Sequence, residues 1–241
     1  SSDVCSSDLT PCCPAMSSPP GPQPAPLLWF QETPSKSRSQ ASAPCAIPFT
    51  VHNPCHQEHR AYVPTSEEME ARYQSTERLW SANPNETLVD YAAKLTPGTA
   101  LDIGCGEGAD ALWLKNHGWE VLGIDFAPTA VARTNAHGVA ARGTTFNDFS
   151  HEPFDLVSVH YGGVGATPKE VEELERLVAP GGTLLFVHHD MESAEVAMPE
   201  WLAENLRELE TVELTRRERH LTEGAGAHHQ SDVVLVAKRA A

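Results

Sequence analysis

The sequence predicts an α/β domain over residues 61–241, with a doubly wound, seven-stranded sheet that is mostly parallel and has an antiparallel last strand. Short apolar runs that are typical of buried strands alternate with helical patterns from residue 99 onward. Single glycines or proline-glycine pairs mark the ends of these patterns. Two strand-like runs close the chain without a helix between them, which favours an antiparallel addition at the edge of the sheet.

The elements follow in chain order. A helix capped by Ser66 is expected first, and then a helix over Pro84–Leu95 with Asn83 as its cap. Further helices are predicted over residues 109–117, 128–137, 168–178 and around 199–209. Strands are predicted over residues 99–103, 119–124, 143–146, 154–159, 183–187, 209–218 and 232–238. Right-handed crossovers then place helices on both faces of the sheet.

Residues 1–60 have a different composition, with eleven of the nineteen prolines and ten serines. Such a segment buries too little apolar surface to offset its ordering entropy, so it is predicted to be disordered. Its opening run, residues 2–9, resembles the translation of a sequencing adapter and suggests a partly artefactual start. Four potential metal ligands lie between His52 and His59, but a metal site there is disfavoured because no second ligand pair follows.

The formal net charge is −16, with 29 acidic and 14 basic residues from residue 61 onward. Nucleic-acid surfaces need clustered lysine and arginine, so a nucleic-acid partner is not expected. The apolar runs are too short to cross a bilayer and no export signal is visible, which predicts a cytoplasmic protein without a membrane partner. The oligomeric state stays open.

A buried strand ends in the run Leu101–Asp110, where three alternate glycines lead directly into a helix. Glycine lets the chain turn tightly and lets a ligand approach the backbone. Ligands of open parallel sheets bind beyond the carboxyl ends of the strands. Asp125 closes the next strand, 23 residues after Asp102, where a carboxylate can accept hydrogen bonds from ribose hydroxyls.

The same glycines also fit the fingerprint of nicotinamide dinucleotide enzymes, so an oxidoreductase is one alternative. Asp102 argues against it, because a carboxylate beside the loop would repel a pyrophosphate and would suit a cationic amino-acid group. The tight glycine spacing, the antiparallel last strand and the lack of a Tyr-x-x-x-Lys pair point the same way. A cofactor-binding domain without turnover is the second alternative.

Residues 70–241 resemble class I S-adenosylmethionine-dependent methyltransferases, and are similar to the small-molecule branch that includes tellurite-resistance and thiopurine-type enzymes. The matching segments are residues 72–73 with 80–85, 101–110, 123–126, 154–160 and 177–190. The resemblance implies a Rossmann-like fold, S-adenosyl-L-methionine as cofactor, a small-molecule acceptor and an in-line displacement of the methyl group. The accepting atom (N, O, S, Se or Te) stays open.

The resemblance also implies roles for individual residues. The implied cofactor contacts are Asp102, Gly104, Cys105, Gly106 and Gly108 at the methionine end, Asp125 at the ribose, Phe126, Asp148 and Phe149 at the adenine, and Trp80 in an N-terminal lid. His160 would face the sulfonium and the acceptor, which makes it the first candidate for a catalytic base, followed by Tyr161. The stretch between Asp125 and Phe154 is short for this family.

No metal site is predicted. His188 and His189 end the fifth strand on the ligand side, where contact with the acceptor or with a metal ion stays open. Adjacent strand residues point to opposite faces, so only one of the two can face a pocket. His228-His229 lies in a glycine-rich turn and is expected to be solvated.

Overall fold

A computed structural model describes residues 64–218 and 230–241 of the 241-residue chain. The expected disorder of residues 1–60, the candidate ligands between His52 and His59, and His228-His229 lie outside the described residues. None of the described helices is long and apolar enough to span a membrane. The cytoplasmic location stays a prediction.

Seven strands form one sheet, in the order β3-β2-β1-β4-β5-β7-β6. They are β1 (Thr99–Ile103), β2 (Glu120–Asp125), β3 (Ala140–Gly143), β4 (Phe154–His160), β5 (Val178–His189), β6 (Leu209–Glu218) and β7 (Ser231–Arg239). The first five strands pair in parallel, and β7 is antiparallel to β5 and β6. The predicted doubly wound sheet is therefore confirmed. The last strand, β7, lies between β5 and β6 rather than at the edge of the sheet. Since β7 is antiparallel to both neighbours, β5 and β6 run in the same direction.

Six α-helices accompany the sheet in the described residues. They are α1 (Ser66–Gln74), α2 (Glu86–Ala92), α3 (Ala109–Asn116), α4 (Pro128–Ala136), α5 (Pro168–Arg176) and α6 (Pro199–Asn205). Apolar side chains of α2 and α3 pack on one face of the sheet, and those of α5 and α6 pack on the other. Successive side chains of β5 point to opposite faces of the sheet. Leu185 and Val187 lie in the core formed with α2 and α3, whereas Leu184 and Phe186 lie in the core formed with α5 and α6.

The predicted caps of the first two helices are wrong by one and two residues. Thr65, not Ser66, caps α1, where it forms a capping box with Glu68. The second helix begins after Asn85, not after Asn83. Its start is set by a tertiary contact that local patterns do not show, because Asn85 donates two hydrogen bonds to the Asp110 carboxylate, of 2.7 Å and 2.8 Å.

The third strand covers Ala140–Gly143, so the predicted strand over residues 143–146 is wrong by three residues. The chain leaves the sheet after Gly143 because Thr145 caps a 3₁₀ turn at Phe146–Asp148. This 3₁₀ turn is the only helical element between β3 and β4, a stretch that the structure describes in full. Phe146 and Phe149 join the hydrophobic core from this connection, so that the short stretch still covers one face of the sheet.

We expect a chain that begins at residue 61 to fold and to bind its ligands like the full chain, because the described core involves only residues from Met69 onward. Thermal unfolding and ligand titration of both chains would check this. A lower melting temperature or weaker binding in the shorter chain would assign a role to the first sixty residues.

Candidate active site

The glycine-rich loop joins β1 to α3 at the carboxyl edge of the sheet. Gly104, Gly106 and Gly108 have φ angles of +73°, +52° and +81°, which L-residues with a Cβ rarely adopt. A Cβ on Gly108 would lie 2.7 Å from the Thr134 side chain. The loop thus needs glycine for both its backbone conformation and its close packing.

Hydrogen bonds hold this loop in place. The amides of Gly104 and Cys105 donate to the Ile124 carbonyl at 2.8 Å and 3.0 Å, and Thr134 donates to the Gly106 carbonyl at 2.9 Å. The Cys105 side chain is buried, and a Cβ on Gly123 would come within 2.8 Å of its sulfur. Burial raises the pKa of the Cys105 thiol, so the thiol is neutral and serves as a packing group.

Asp102 lies beneath the loop and is 2% exposed. Its Oδ2 atom is buried and has no hydrogen-bond partner among the described residues. Burial raises the pKa of Asp102, and the charges of Asp110 and Asp125 raise it further. A buried acceptor oxygen in negative surroundings is suited to a cationic ligand group with N–H donors, because such a group would satisfy the oxygen and offset the charge.

Asp125 ends β2 next to the loop. Its Oδ2 accepts the Gly106 amide at 2.9 Å, and its Oδ1 accepts the Ala127 amide at 2.8 Å. Burial raises the pKa of this carboxyl, an effect that these two hydrogen bonds oppose. Each oxygen keeps a second lone pair. The backbone therefore fixes the orientation of a carboxylate that can accept hydrogen bonds from two neighbouring hydroxyls.

Phe126 follows directly and is 41% exposed. Its ring lines a groove of about 350 Å³ together with Pro128 and residues of α1. Asp148 is exposed at the 3₁₀ turn and accepts a hydrogen bond from Thr145 at 2.7 Å. Phe149, by contrast, is buried in the core. The first two side chains are accessible to a flat ligand, whereas the Phe149 ring is not.

A segment after α1 covers the loop. The Trp80 indole donates to the Tyr73 hydroxyl at 2.8 Å, and a Cβ on Gly106 would lie 3.2 Å from that hydroxyl and 3.5 Å from the Trp80 ring. Burial and the charge of Asp125 raise the pKa of Tyr73, which keeps the phenol protonated. The tyrosine and the tryptophan thus form a lid directly above the loop.

Glu107 and Arg133 hold this lid in place through hydrogen bonds, and the sequence analysis gave neither residue a role in the lid. Glu107 accepts the Leu79 and Trp80 amides at 3.0 Å and 2.9 Å and pairs with Arg133 at 2.6 Å. Arg133 also donates to the carbonyls of Tyr73 and Thr76. An acidic residue inside a glycine-rich loop is a signal that could have indicated Glu107. Nothing in the local sequence indicates Arg133.

His160 ends β4 with a side chain that is 3% exposed. Its Nε2 lies 2.9 Å from the Thr87 hydroxyl, and its Nδ1 lies 3.1 Å from Ser158 and 3.6 Å from Asp110. Burial lowers the pKa of His160, although the charges of Asp110 and Asp232 oppose this. Through these contacts the neutral ring joins α2 and α3 to β4, and its catalytic role stays a prediction.

Tyr161 is the only non-glycine residue with a positive φ, +57°, in the described part of the chain. This conformation costs on the order of 1 kcal/mol. It turns the side chain towards β5 and β7, where the hydroxyl donates to Asp232 Oδ2 at 2.6 Å and the ring stacks on His189 at 4.2 Å. His189 in turn lies 2.9 Å from Asp232 Oδ1. The sequence predicted Tyr161 as a site residue but gave no role to Asp232.

The described residues contain no group of three or more side chains placed to hold a metal ion. His188 lies beside His189, but its Nδ1 is buried without a hydrogen-bond partner in residues 64–218 and 230–241. Burial and the neighbouring His189 lower the pKa of His188 to about 4. The two histidines thus differ, since His189 has a carboxylate partner and His188 is held neutral.

Comparison with known proteins adds a family match and distant relatives. Residues 72–223, more than half of the chain, match a family described as "Methyltransferase domain". The ribosomal RNA small subunit methyltransferase C of Alcanivorax borkumensis is 28% identical over 135 residues, which are 50% of this chain and 40% of that protein. The 2-heptyl-1-hydroxyquinolin-4(1H)-one methyltransferase of Mycobacteroides abscessus is 46% identical over 107 residues, 39% of this chain and 47% of that protein. The chain thus spans less than half the length of these curated relatives.

Among solved structures, the N-methyltransferase NodS of Bradyrhizobium japonicum, crystallised with S-adenosyl-L-homocysteine, has a similar fold. The TM-score is 0.59 at 21% identity, and the match covers 73% of this chain and 99% of NodS. The two chains therefore share a fold.

Proposed function

Since the chain belongs to the methyltransferase domain family, we propose that it transfers a methyl group from S-adenosylmethionine to a small-molecule acceptor. The observation that carries this proposal is the pair of buried carboxylates, Asp102 and Asp125, on either side of the positive-φ glycine loop. The comparisons give no support to the nicotinamide-dependent alternative. A class I methyltransferase resemblance is confirmed at the level of the family.

The residues present fit the cofactor from end to end. Asp102 would accept from the cationic amino group, because its Oδ2 is buried without a hydrogen-bond donor among the described residues. Gly104, Gly106 and Gly108, with Cys105 between them, would let the methionine end approach the backbone. Asp125 would accept from both ribose hydroxyls with its remaining lone pairs. The bound cofactor supplies an already activated sulfonium methyl group.

The adenine would lie against the exposed Phe126 ring, with Asp148 accepting from its exocyclic amine. Phe149 would contribute through its backbone, because its ring packs in the core. Trp80 and Tyr73 would cover the methionine end from the lid. Together these residues would exclude water, which matters because the protein mainly has to align two reactants in a dry site.

Two observations support a small-molecule acceptor. The curated relative with the higher identity is named for a hydroxyquinolone substrate, although it matches over part of its length only. The other relative is named for ribosomal RNA, but this chain carries a formal charge of −16, which opposes a phosphate backbone. His160 and Tyr161 are the proposed acceptor-side residues, because β4 carries them to the same edge as Asp102 and Asp125.

Methyl transfer from labelled S-adenosylmethionine tests this proposal. The purified chain is incubated with 2-heptyl-1-hydroxyquinolin-4(1H)-one, with simple phenols, amines and thiols, and with ribosomal RNA. We expect label in at least one small molecule and none in RNA. Tight cofactor binding without transfer would favour a binding domain that does not turn over, and labelled RNA would overturn the small-molecule acceptor.

A further inference from the structure

The lid occupies space beside the loop that a cofactor would need. Gly106 is buried, and a Cβ on it would lie 3.2 Å from the Tyr73 hydroxyl and 3.5 Å from the Trp80 ring. Non-bonded heavy atoms pack at about 3.5–4.0 Å, so this side of Gly106 has no room for a ligand atom under the lid. A cofactor that binds against Gly106 therefore requires the lid to move aside first.

Two charged side chains hold the lid in this position. Glu107 belongs to the loop itself and accepts the Leu79 and Trp80 amides at 3.0 Å and 2.9 Å. Arg133 reaches from α4, pairs with Glu107 at 2.6 Å, and donates to two backbone carbonyls at and just after the end of α1, at 2.9 Å and 2.6 Å. The two side chains are 10% and 24% exposed, so water competes only partly for these contacts. The Glu107–Arg133 pair thus links the loop, α4 and the lid.

The apolar contacts of the lid form a small cluster of their own. Met69 and Tyr73 of α1 pack with Ala127 and Ala130, and Trp80 packs against them. This cluster is separate from the two cores that hold the other helices on the sheet. The lid can therefore move without disturbing either core, and the charge-assisted hydrogen bonds of the pair oppose this movement.

A further polar contact holds α1 itself. Glu70 accepts the Thr129 amide at 3.0 Å and the Thr129 hydroxyl at 2.5 Å. This contact joins α1 to the first turn of α4 without involving the glycine loop. The Glu107–Arg133 pair is therefore the polar contact that couples the lid to the loop.

We propose that the Glu107–Arg133 pair is a latch that keeps the lid on the empty loop and that has to open before S-adenosylmethionine binds. The inference rests on the proposed function and makes both residues positioning residues, because they act through the lid and not on the reacting atoms. A protein whose binding-competent state is only a fraction of the whole binds its ligand with an affinity reduced by that fraction. The latch therefore slows the entry of the cofactor.

Stopped-flow fluorescence of the full-length chain with S-adenosylhomocysteine tests the latch, because Trp80 lies beside the loop. Glu107→Gln and Arg133→Met each remove the charged contact and keep much of the side chain. Loss of one charge-assisted contact shifts an equilibrium by about tenfold, so the association rate constant should rise about tenfold in each variant. The double variant should gain little more than either single variant, because the two residues form one contact. A residue that only contacts the ligand, or only stabilises the fold, would not speed association when it is removed.

Glu175→Gln is the matched control. Glu175 is 2% exposed and, like Glu107, accepts backbone amides, three of them over residues 207–209 at 2.7 Å, 2.7 Å and 3.1 Å. It lies at the end of α5, just before β5 begins and so at the opposite edge of the sheet. This variant should lower the melting temperature and keep the wild-type association rate constant. Association that is unchanged or slower in Arg133→Met, which leaves the loop sequence intact, would overturn the latch and leave the methyltransferase proposal standing.

Hydrogen exchange provides a measurement without ligand or turnover. The Leu79 and Trp80 amides donate to Glu107, so their exchange reports opening of the latch. Mass spectrometry of peptides that contain these amides should show about tenfold faster exchange in Arg133→Met than in wild type, and wild-type exchange in Glu175→Gln. Equal exchange in Arg133→Met and wild type would overturn the latch. Failure of the wild-type chain to bind S-adenosylhomocysteine, with the exchange difference present, would instead contradict the proposed function.

Discussion

Replacing Asp125 with alanine is expected to weaken S-adenosylhomocysteine binding by at least tenfold. The carboxylate would accept from both ribose hydroxyls, and hydrogen bonds to a charged group contribute about 1.5–3 kcal/mol each. The structure adds a second cause, because the same carboxylate orients the Gly106 amide at 2.9 Å and thereby the glycine loop. Calorimetric titration of the variant measures the loss directly.

Asp155 offers a matched control for this experiment. It is also a strand aspartate that accepts a backbone amide, that of Thr99 at 2.8 Å, but it lies at the start of β4 and so at the opposite edge of the sheet. Asp155→Ala should change stability without changing cofactor affinity. Equal affinities of wild type and Asp125→Ala would show that the ribose does not bind at the end of β2.

Replacing Asp102 with asparagine should move stability and cofactor binding in opposite directions. The side chain is buried with one oxygen that lacks a hydrogen-bond partner among the described residues, and it lies near two further carboxylates. Loss of the charge should therefore raise the free energy of unfolding of the cofactor-free chain, by about 1–3 kcal/mol. Affinity for S-adenosylhomocysteine should fall about tenfold or more, because the amino group loses its charged acceptor.

The pH dependence of the free energy of unfolding tests the predicted direction of this stability change. Burial raises the pKa of Asp102 in the folded chain above its ordinary value of 3.8, so the folded state holds this proton more strongly than the unfolded state does. Stability should fall as the pH rises from that ordinary value to the raised pKa, and then level off. Asp102→Asn should lack this decline in urea titrations at several pH values. A variant less stable than wild type at neutral pH would contradict the account.

The sequence was sufficient to predict the sheet and the glycine-rich turn at its carboxyl edge. Periodic apolar runs and glycine stops are local signals, and the Leu101–Asp110 run contains its strand, turn and helix start within ten residues. The predicted caps Ser66 and Asn83 were wrong. A capping box is easily shifted by one residue, and the cap at Asn85 is set by its contact with Asp110, 25 residues away. Boundaries fixed by such tertiary contacts have no local pattern.

The proposed acceptor side was less accessible to sequence reasoning. Asp232 meets His189 across 43 residues and Tyr161 across 71, so neither contact could be predicted without the register of β7 against β5. Arg133 likewise contacts the lid from a distant part of the sequence, because it lies on α4, the helix that follows β2. His160 was predicted as the first candidate base, but its burial and its contacts with Thr87 and Ser158 emerge only in the fold. Its catalytic role stays a prediction.

The central claim is that the carboxyl edge of this sheet binds S-adenosylmethionine and not a dinucleotide. Isothermal titration calorimetry of the purified full-length chain with S-adenosylhomocysteine, and separately with NAD, tests it most directly. We predict one-to-one binding of S-adenosylhomocysteine that Asp125→Ala weakens, and no heat of binding with NAD. Binding of NAD with no binding of S-adenosylhomocysteine would contradict the account.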